Sequence, residues 1–325
     1  MKQGTRQFGI FLASLMLVAG SCFAQAQSYP SRTISIVSPY PASSAGVVLF
    51  RVLAEELQKR LNQPVIVEAK PGAGGLIAMQ AVVAAPADGY TLLGHATAST
   101  ANVVFAKSPG VDPEKDFITI SAEAYTPYFL VISSGVPANS MKEFVAYAKA
   151  NPGKMNIAVH PNSWANLSAL EILNKFGISM TLVPYDGGVR ARQALLANEV
   201  QAYPAPTLFG MTDFFKDGKL KVLAVLDNKR FPLFPDIPTL REETGIEMSN
   251  TSYLGTQVRA GTPQPVVDKL SGTLKEIFAD PAIKGKYENA GFSVGLQGPA
   301  EASTTFARAY GHAREVARAA GLPRP

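Results

Sequence analysis

Three histidines, one tryptophan and a set of loop serines carry the chemical possibilities of this 325-residue sequence. His95, His160 and His312 are the candidates for acid–base or metal work. His312 has Glu315 one helical turn further on, but two groups do not make a metal site, and neither other histidine has a partner at ligand spacing. No metal and no cofactor are expected. Ser163 stands three residues after His160 in "HPNSWAN", but a loop spacing of three does not make a base–nucleophile pair, and no G-x-S-x-G elbow is present. "PGAGG" at Pro71–Gly75 lacks the Gly-Lys-Ser/Thr ending that would hold phosphate and Mg²⁺, so it reads as a tight turn into a helix. With no acid–base pair at the loops, the chain is expected not to be an enzyme.

What remains is suited to binding. "SPYPASSAG" (Ser38–Gly46) carries Tyr40, Pro41, Ala42, Ser43 and Ser44 between an Ile/Val-rich run and a helical pattern. A loop of that kind presents bare backbone N–H groups at a helix N-terminus. "GHATAST" adds the hydroxyls of Thr97, Ser99 and Thr100. "HPNSWANLSA" opens another helix with His160, Asn162, Ser163 and Trp164; the tryptophan is either core packing or an aromatic wall that stacks on a ligand. Tyr185 in "PYDGGVRAR", and Ala205 and Pro206 in "YPAPT", complete the candidate ligand-binding set. Arg190 and Arg192 fit an exposed helical face better than a ligand clamp. Small, hydroxyl-rich, charge-poor loops suit an anion held by N–H and O–H donors.

The elements that must position these loops are visible as alternating periods. "TISIVS" and "PVIVEA" flank a helix marked by Leu49, Leu53, Leu57 and Leu61, which is a βαβ unit and predicts a parallel sheet covered by helices. The pattern repeats through "GLIAMQAVVAA" and "YTLLGH", "YFLVISS" and "SMKEFVAYAKA", "MNIAVH" and "ANLSALEILNKFG", "MTLVPY", "RARQALLANE", "LKVLAVLD" and "SYLGTQVRA", with two helices near Pro265–Phe278 and Ala300–Ala319. Ser140 and Glu143 suit a capping box, and Gly177 a helix stop. Chain crossings are expected near Ala124–Tyr128 and Asp227–Pro235. They divide the chain into 27–126 plus 229–325 as one lobe and 127–228 as the other, with a ligand cleft between.

The first residues, "MKQGTRQFGIFLASLMLVAGSCFAQAQ", read as a signal peptide over 1–26 and imply a periplasmic protein. Cleavage is expected after Ala24 or Ala26 and removes Cys22, the single cysteine, leaving a chain without disulfide or thiolate chemistry. The retained-anchor and lipidated-Cys22 readings are the alternatives. Losing Lys2 and Arg6 takes the formal charge from +5 to +3 with no basic cluster, which does not suggest nucleic acid. A monomer is expected.

Over nearly its whole mature length the sequence resembles the Bug-type, or tripartite tricarboxylate transporter (TTT), periplasmic substrate-binding proteins. The stretches that carry this are "YPSRTISIVSPYP", "PVIVEAKPGAGGLIAMQAVVAAPADGYTLL", "VDPEKDF", "VPYDGG", "DGKLKVLAV" and "FPDIPTLREETG". The resemblance implies a type II periplasmic-binding-protein fold: two α/β lobes joined by two crossing strands, with ligand carboxylates pinched by loops of both. It also implies delivery of a small organic acid to membrane transporter subunits. The alternatives are a ligand-presenting partner of a membrane signalling protein or a periplasmic hydrolase. The sequence departs from the family pattern where Ala42–Val47 replaces a Pro-Gly-Gly-Ser-Thr-Asp-like loop, and where Val159–Ser163 replaces Ser-Ala-Gly-Asn-Gly-Ser. The acidic position that the family often shows after the later strand falls near Ala205 in "YPAPT", where this sequence has no acidic residue. Losing two acidic positions argues against an amino acid, whose ammonium wants a carboxylate, while His160 and Trp164 favour a larger, aromatic acid.

Overall fold

The computed structural model describes residues 29–322 apart from 43 and 107. The expected signal peptide and Ser43 lie outside the described residues. Among the described residues, no helix is long and apolar enough to cross a membrane.

The chain begins as the sequence predicts. β1 (Ile34–Ser38) pairs in parallel with β2 (Val65–Ala69) and β3 (Thr91–Ala96), and α1 (Ala45–Leu61) connects the first two. Leu49, Leu53, Leu57 and Leu61 are all buried on one face of α1, because a four-residue spacing keeps side chains in register along a helix. The "PGAGG" turn takes left-handed backbone at Ala73, Gly74 and Gly75, then enters α2 (Leu76–Ala84). A side chain at Gly75 would crowd Pro39 and Ser99, so this turn also packs the first loop against the third.

α3 (Thr97–Ala101) follows β3 directly, and β4 (Phe117–Pro127) comes next. β4 runs almost straight into β5 (Phe129–Ser133), with only Tyr128 between them. α4 (Met141–Ala150), β6 (Asn156–Val159), α5 (Trp164–Phe176), β7 (Thr181–Pro184), α6 (Gly188–Leu196), β8 (Ala202–Ala205), α7 (Thr212–Lys216) and β9 (Leu220–Val225) complete the second sheet. After α8 (Leu240–Thr244), the chain returns as β10 (Thr251–Arg259). It ends in α9 (Gln264–Phe278), α10 (Pro281–Asn289), β11 (Ser293–Gln297) and α11 (Pro299–Ala319).

Two open sheets result. Six strands lie in the order β11-β4-β10-β3-β1-β2, and five in the order β7-β6-β8-β5-β9. Both are mixed rather than purely parallel, which corrects the simplest reading of the βαβ pattern. β10 runs antiparallel to β3 and β4, and β5 antiparallel to β8 and β9. The crossing strands bring in the opposite direction.

At the crossing, three backbone hydrogen bonds close a ring. Tyr128 N–H donates to Asn250 O (2.8 Å), Asn250 N–H to Leu226 O (2.9 Å) and Leu226 N–H to Tyr128 O (2.7 Å). The returning chain passes through this ring at Asn250. The intervening residues stay with the five-stranded sheet: Phe231 and Phe234 pack edge-on against Phe129, and Thr239 bridges Val225.

The expected capping box at Ser140 forms only half. Ser140 Oγ accepts from Glu143 N–H (3.2 Å), while the Glu143 carboxylate takes the amide of Asn139. Gly177 closes α5 in left-handed conformation as expected.

Candidate functional site

A cavity of about 300 Å³ opens between the two sheets. Its floor is the crossing itself, at Thr126 and Tyr128. On the six-stranded side, the first turn of α1 contributes Ser44, Ala45 and Gly46, and the start of α3 contributes Ala98 and Ser99. On the five-stranded side stand Ser163 and Trp164, at the cap and first residue of α5, with Pro206, Thr207 and Phe209 after β8. Among the described residues, no Asp, Glu, Lys, Arg or His lines it.

Several polar atoms of this wall have assigned duties, while Asn102 Oδ1 and Trp164 Nε1 are buried there without a hydrogen-bond partner among the described residues. Tyr40 Oη accepts from Ala96 N–H (3.0 Å) and from Ser99 Oγ (2.8 Å). With two donors arriving, its own proton is left to point at an occupant. Burial raises the Tyr40 phenol above its ordinary value, so that proton stays in place. Ser163 behaves differently: its hydroxyl donates to His160 O (2.7 Å) and accepts from Asn166 N–H (3.4 Å), closing the N-terminus of α5. Ser44 caps α1 by accepting from Val47 N–H (3.3 Å). The first turns of α1 and α5, the positive ends of 17- and 13-residue helices, thus both reach the cavity. The remaining lining combines Asn102, Thr126, Thr207 and Ser252 with an apolar surface formed chiefly by Leu254, Phe292, Phe209 and the indole of Trp164.

Of the candidates read from the sequence, Tyr40, Ser44, Ser99, Ser163, Trp164 and Pro206 are brought together here. The other candidates whose side chains are described occupy neighbouring positions outside the lining. Pro41 and Ala42 are exposed beside the first loop. Thr97 is buried and accepts from Tyr253 N–H (3.1 Å), tying α3 to β10. Thr100 lies within α3. His160 has both ring nitrogens engaged, Nδ1 with Tyr185 O (2.9 Å) and Nε2 with Tyr203 Oη (2.7 Å). The carbonyl can only accept, so Nδ1 carries the hydrogen and Nε2 receives the phenol's. Asn162 is exposed in a left-handed turn, and Ala205 is buried in β8 opposite Phe129. Trp164 is at once core and wall, 3% exposed yet lining the cavity.

The two other histidines lie outside the cavity lining. His95 lies inside β3, fully buried, and burial holds it down to about 3, so it is neutral. His312, on α11, is only 24% exposed and contacts Glu171 and Asn250. Sequence reasoning missed Thr126, Thr207, Phe209, Ser252, Leu254 and Phe292, which come from segments far apart in the chain. Phe209, a large apolar side chain left 59% exposed after a strand, is the kind of signal a structure reveals and a sequence hides.

Comparison with known proteins agrees with this architecture. Residues 49–308 match the family described as the tripartite tricarboxylate transporter family receptor, TctC. The UPF0065 protein in the gbd 5′ region of Cupriavidus necator is 35% identical over 271 residues, covering 83% of this chain and 81% of that one. The solved periplasmic binding protein BugD superposes with a TM-score of 0.77 at 29% identity, covering 91% of this chain and 100% of its own. An R. palustris protein solved with adipate shares the fold with a TM-score of 0.79 at 24% identity, covering 90% of this chain and 99% of its own. These are binding proteins rather than enzymes, and the type II periplasmic-binding-protein fold expected from the sequence is theirs. With four-fifths of its length matched and its two sheets arranged around one cleft, the chain belongs to the TctC, or Bug-type, family of periplasmic solute-binding proteins.

Proposed function

We propose that this chain captures a small organic acid in the periplasm and hands it to the membrane subunits of a TTT-type transporter. The observation that carries the reading is the uncharged cavity reached by two helix N-termini, with the Tyr40 hydroxyl proton left to donate. Such a wall favours an anion through oriented N–H and O–H dipoles without the desolvation cost of a buried cation. Leu254, Phe209, Phe292 and Trp164 suit an apolar body, aliphatic or aromatic, and about 300 Å³ limits it to a small one. Ser44, Ser99, Trp164 and Pro206 are the proposed contacts beside Tyr40, with Ser163 at the site as the cap of the turn that presents Trp164. Adipate, the acid found with the R. palustris neighbour, has a spine of this kind and serves as a first probe.

The same reading divides the chain into a lobe built from residues up to 127 and from 250 onward, and a lobe from 128 to 249. The ring at Tyr128, Leu226 and Asn250 is the hinge. Export by a cleaved signal peptide ending at Ala24 or Ala26, and a monomeric state, belong to it. Native mass spectrometry on protein purified without refolding tests it. A co-purified acid on a monomer starting at Gln25 or Gln27 is the expected result. A chain that still begins at Met1, or that binds no acid from a panel of mono-, di- and aromatic carboxylates by calorimetry, overturns the corresponding part.

A further inference from the structure

Behind the indole wall of the cavity, three elements meet at one imidazole. His312, on α11, places Nε2 3.2 Å from Oε2 of Glu171 and 3.2 Å from Oδ1 of Asn250. Both partners accept, so Nε2 carries the hydrogen. The amide nitrogen of Asn250 donates to Ser168 Oγ at 3.1 Å, which turns its oxygen toward the imidazole. The His312 ring centre lies 5.7 Å from that of Trp164, tilted by 49°. Glu171, Ser168, Asn250 and Trp164 are all buried, and Lys175 Nζ stands 3.6 Å from the other oxygen of Glu171.

Trp164, Ser168 and Glu171 are spaced i, i+4, i+7 on α5, one continuous stripe of that helix. The stripe faces α11 and the hinge. α11 is anchored at its start on the six-stranded sheet, where Phe306 packs against Ala122 and His95. Asn250 belongs to the crossing and α5 to the five-stranded sheet. One imidazole therefore ties both lobes and the hinge together, and leans on the ring that walls the cavity.

We infer that His312 is a positioning residue for solute binding: by bridging Glu171 and Asn250 it holds the Trp164 indole in place as the cavity wall. The inference rests on reading that cavity as the solute site. A buried carboxylate and a buried amide oxygen that lose their shared donor must find water instead, and the stripe that carries Trp164 then moves with them.

Trp164 is the single tryptophan of the chain, so its fluorescence reports the wall directly. In the unliganded full-length mature protein, His312→Ala is expected to raise acrylamide quenching of the indole about threefold or more. His312→Gln retains an amide donor for Glu171 and Asn250 and is expected to recover most of the protection. Arg318→Ala, exposed on the last turn of the same helix, is expected to change nothing. Adipate affinity by calorimetry is expected to fall about tenfold in His312→Ala. Unchanged quenching in His312→Ala with circular dichroism intact overturns the inference, as does loss of protection in Arg318→Ala to the same degree. If His312→Ala fails to fold, His312→Gln against wild type decides, with full indole exposure in His312→Gln counting against the donor bridge. Adipate that fails to bind wild type strikes the solute reading for that acid, and the quenching series still decides the role of His312.

Discussion

Ser99 donates its hydroxyl hydrogen to the phenol oxygen of Tyr40 at 2.8 Å, and that contact decides which hydrogen the cavity offers to a guest. Tyr40 can give a proton only because Ser99 and Ala96 fill its acceptor sites. Tyr40→Phe is expected to weaken binding of a carboxylate about tenfold or more, since a hydrogen bond to a charged acceptor contributes roughly 1.5–3 kcal/mol. Calorimetry with any acid that binds wild type checks it. Equal affinities would remove Tyr40 from the contact set.

Gly46 is the companion of Tyr40. A Cβ at this position would stand 2.9 Å from Cδ2 and 3.2 Å from Cε2 of the ring. Gly46→Ala is expected to displace the phenol and cost about tenfold in affinity, as overpacking commonly does. Alanine is the better helix former, so the melting temperature is expected to change little. A large drop in melting temperature with unchanged affinity would contradict this.

The Ser163 hydroxyl is already committed at both ends of its geometry, to His160 O and Asn166 N–H. Ser163→Ala is therefore expected to act first on stability, by about 1 kcal/mol through loss of the α5 cap. Urea unfolding measures that. Affinity is expected to follow only as far as the Trp164 turn loosens, and a change in affinity with full stability would show that Ser163 contacts the solute directly.

Glu123 sits fully buried in β4, where Ser121 and Thr256 donate to one of its oxygens (2.7 and 2.6 Å) and burial lifts it to about 7. The folded state thus holds this proton more tightly than the unfolded chain. The stabilisation is complete below the ordinary carboxyl value and is lost as pH rises through about 7. His95, held down to about 3 by burial, has the opposite slope, losing stability as pH falls below its ordinary value. The two partly cancel in the whole protein, so the comparison of interest is wild type against Glu123→Gln. Unfolding by urea at about pH 5 and about pH 8 is expected to show the variant gaining on wild type at the higher pH. Parallel behaviour at both would refute the assignment.

Much of this was readable from residue order, and the failures have physical causes. The Leu49–Leu61 face, the "PGAGG" turn and the Gly177 stop follow from local rules and stand as expected. β8 escaped notice because "AYPA" contains a proline; in the structure Pro204 pairs with Leu130 on one side, and the ladder with β6 is limited to Ala202 with Ile157. β4 shows no alternation because it is buried on both faces along most of its length. α10 carries a signal that was available, Asp280 capping a helix with proline at its first position. At the site, Tyr40, Ser44, Ser99, Ser163 and Trp164 could be read because loops after strands are visible locally. Leu254, Phe292 and Thr207 could not, because their proximity is created by the crossings.

The ring at Tyr128, Leu226 and Asn250 also orders the birth of the molecule. The five-stranded sheet is built from one uninterrupted run of chain, so its loops close over short distances. β10, by contrast, must register Thr251 with Pro127 across all of that run. Closing so long a loop costs entropy that only a compact intervening lobe reduces. Pulse-labelled hydrogen exchange during refolding is expected to protect β5, β6, β8 and β9 before β4 and β10, and the reverse order would exclude this route. A chain made this way keeps its cleft unfinished until its last third has arrived, so a truncated copy has no finished cleft with which to compete for a ligand.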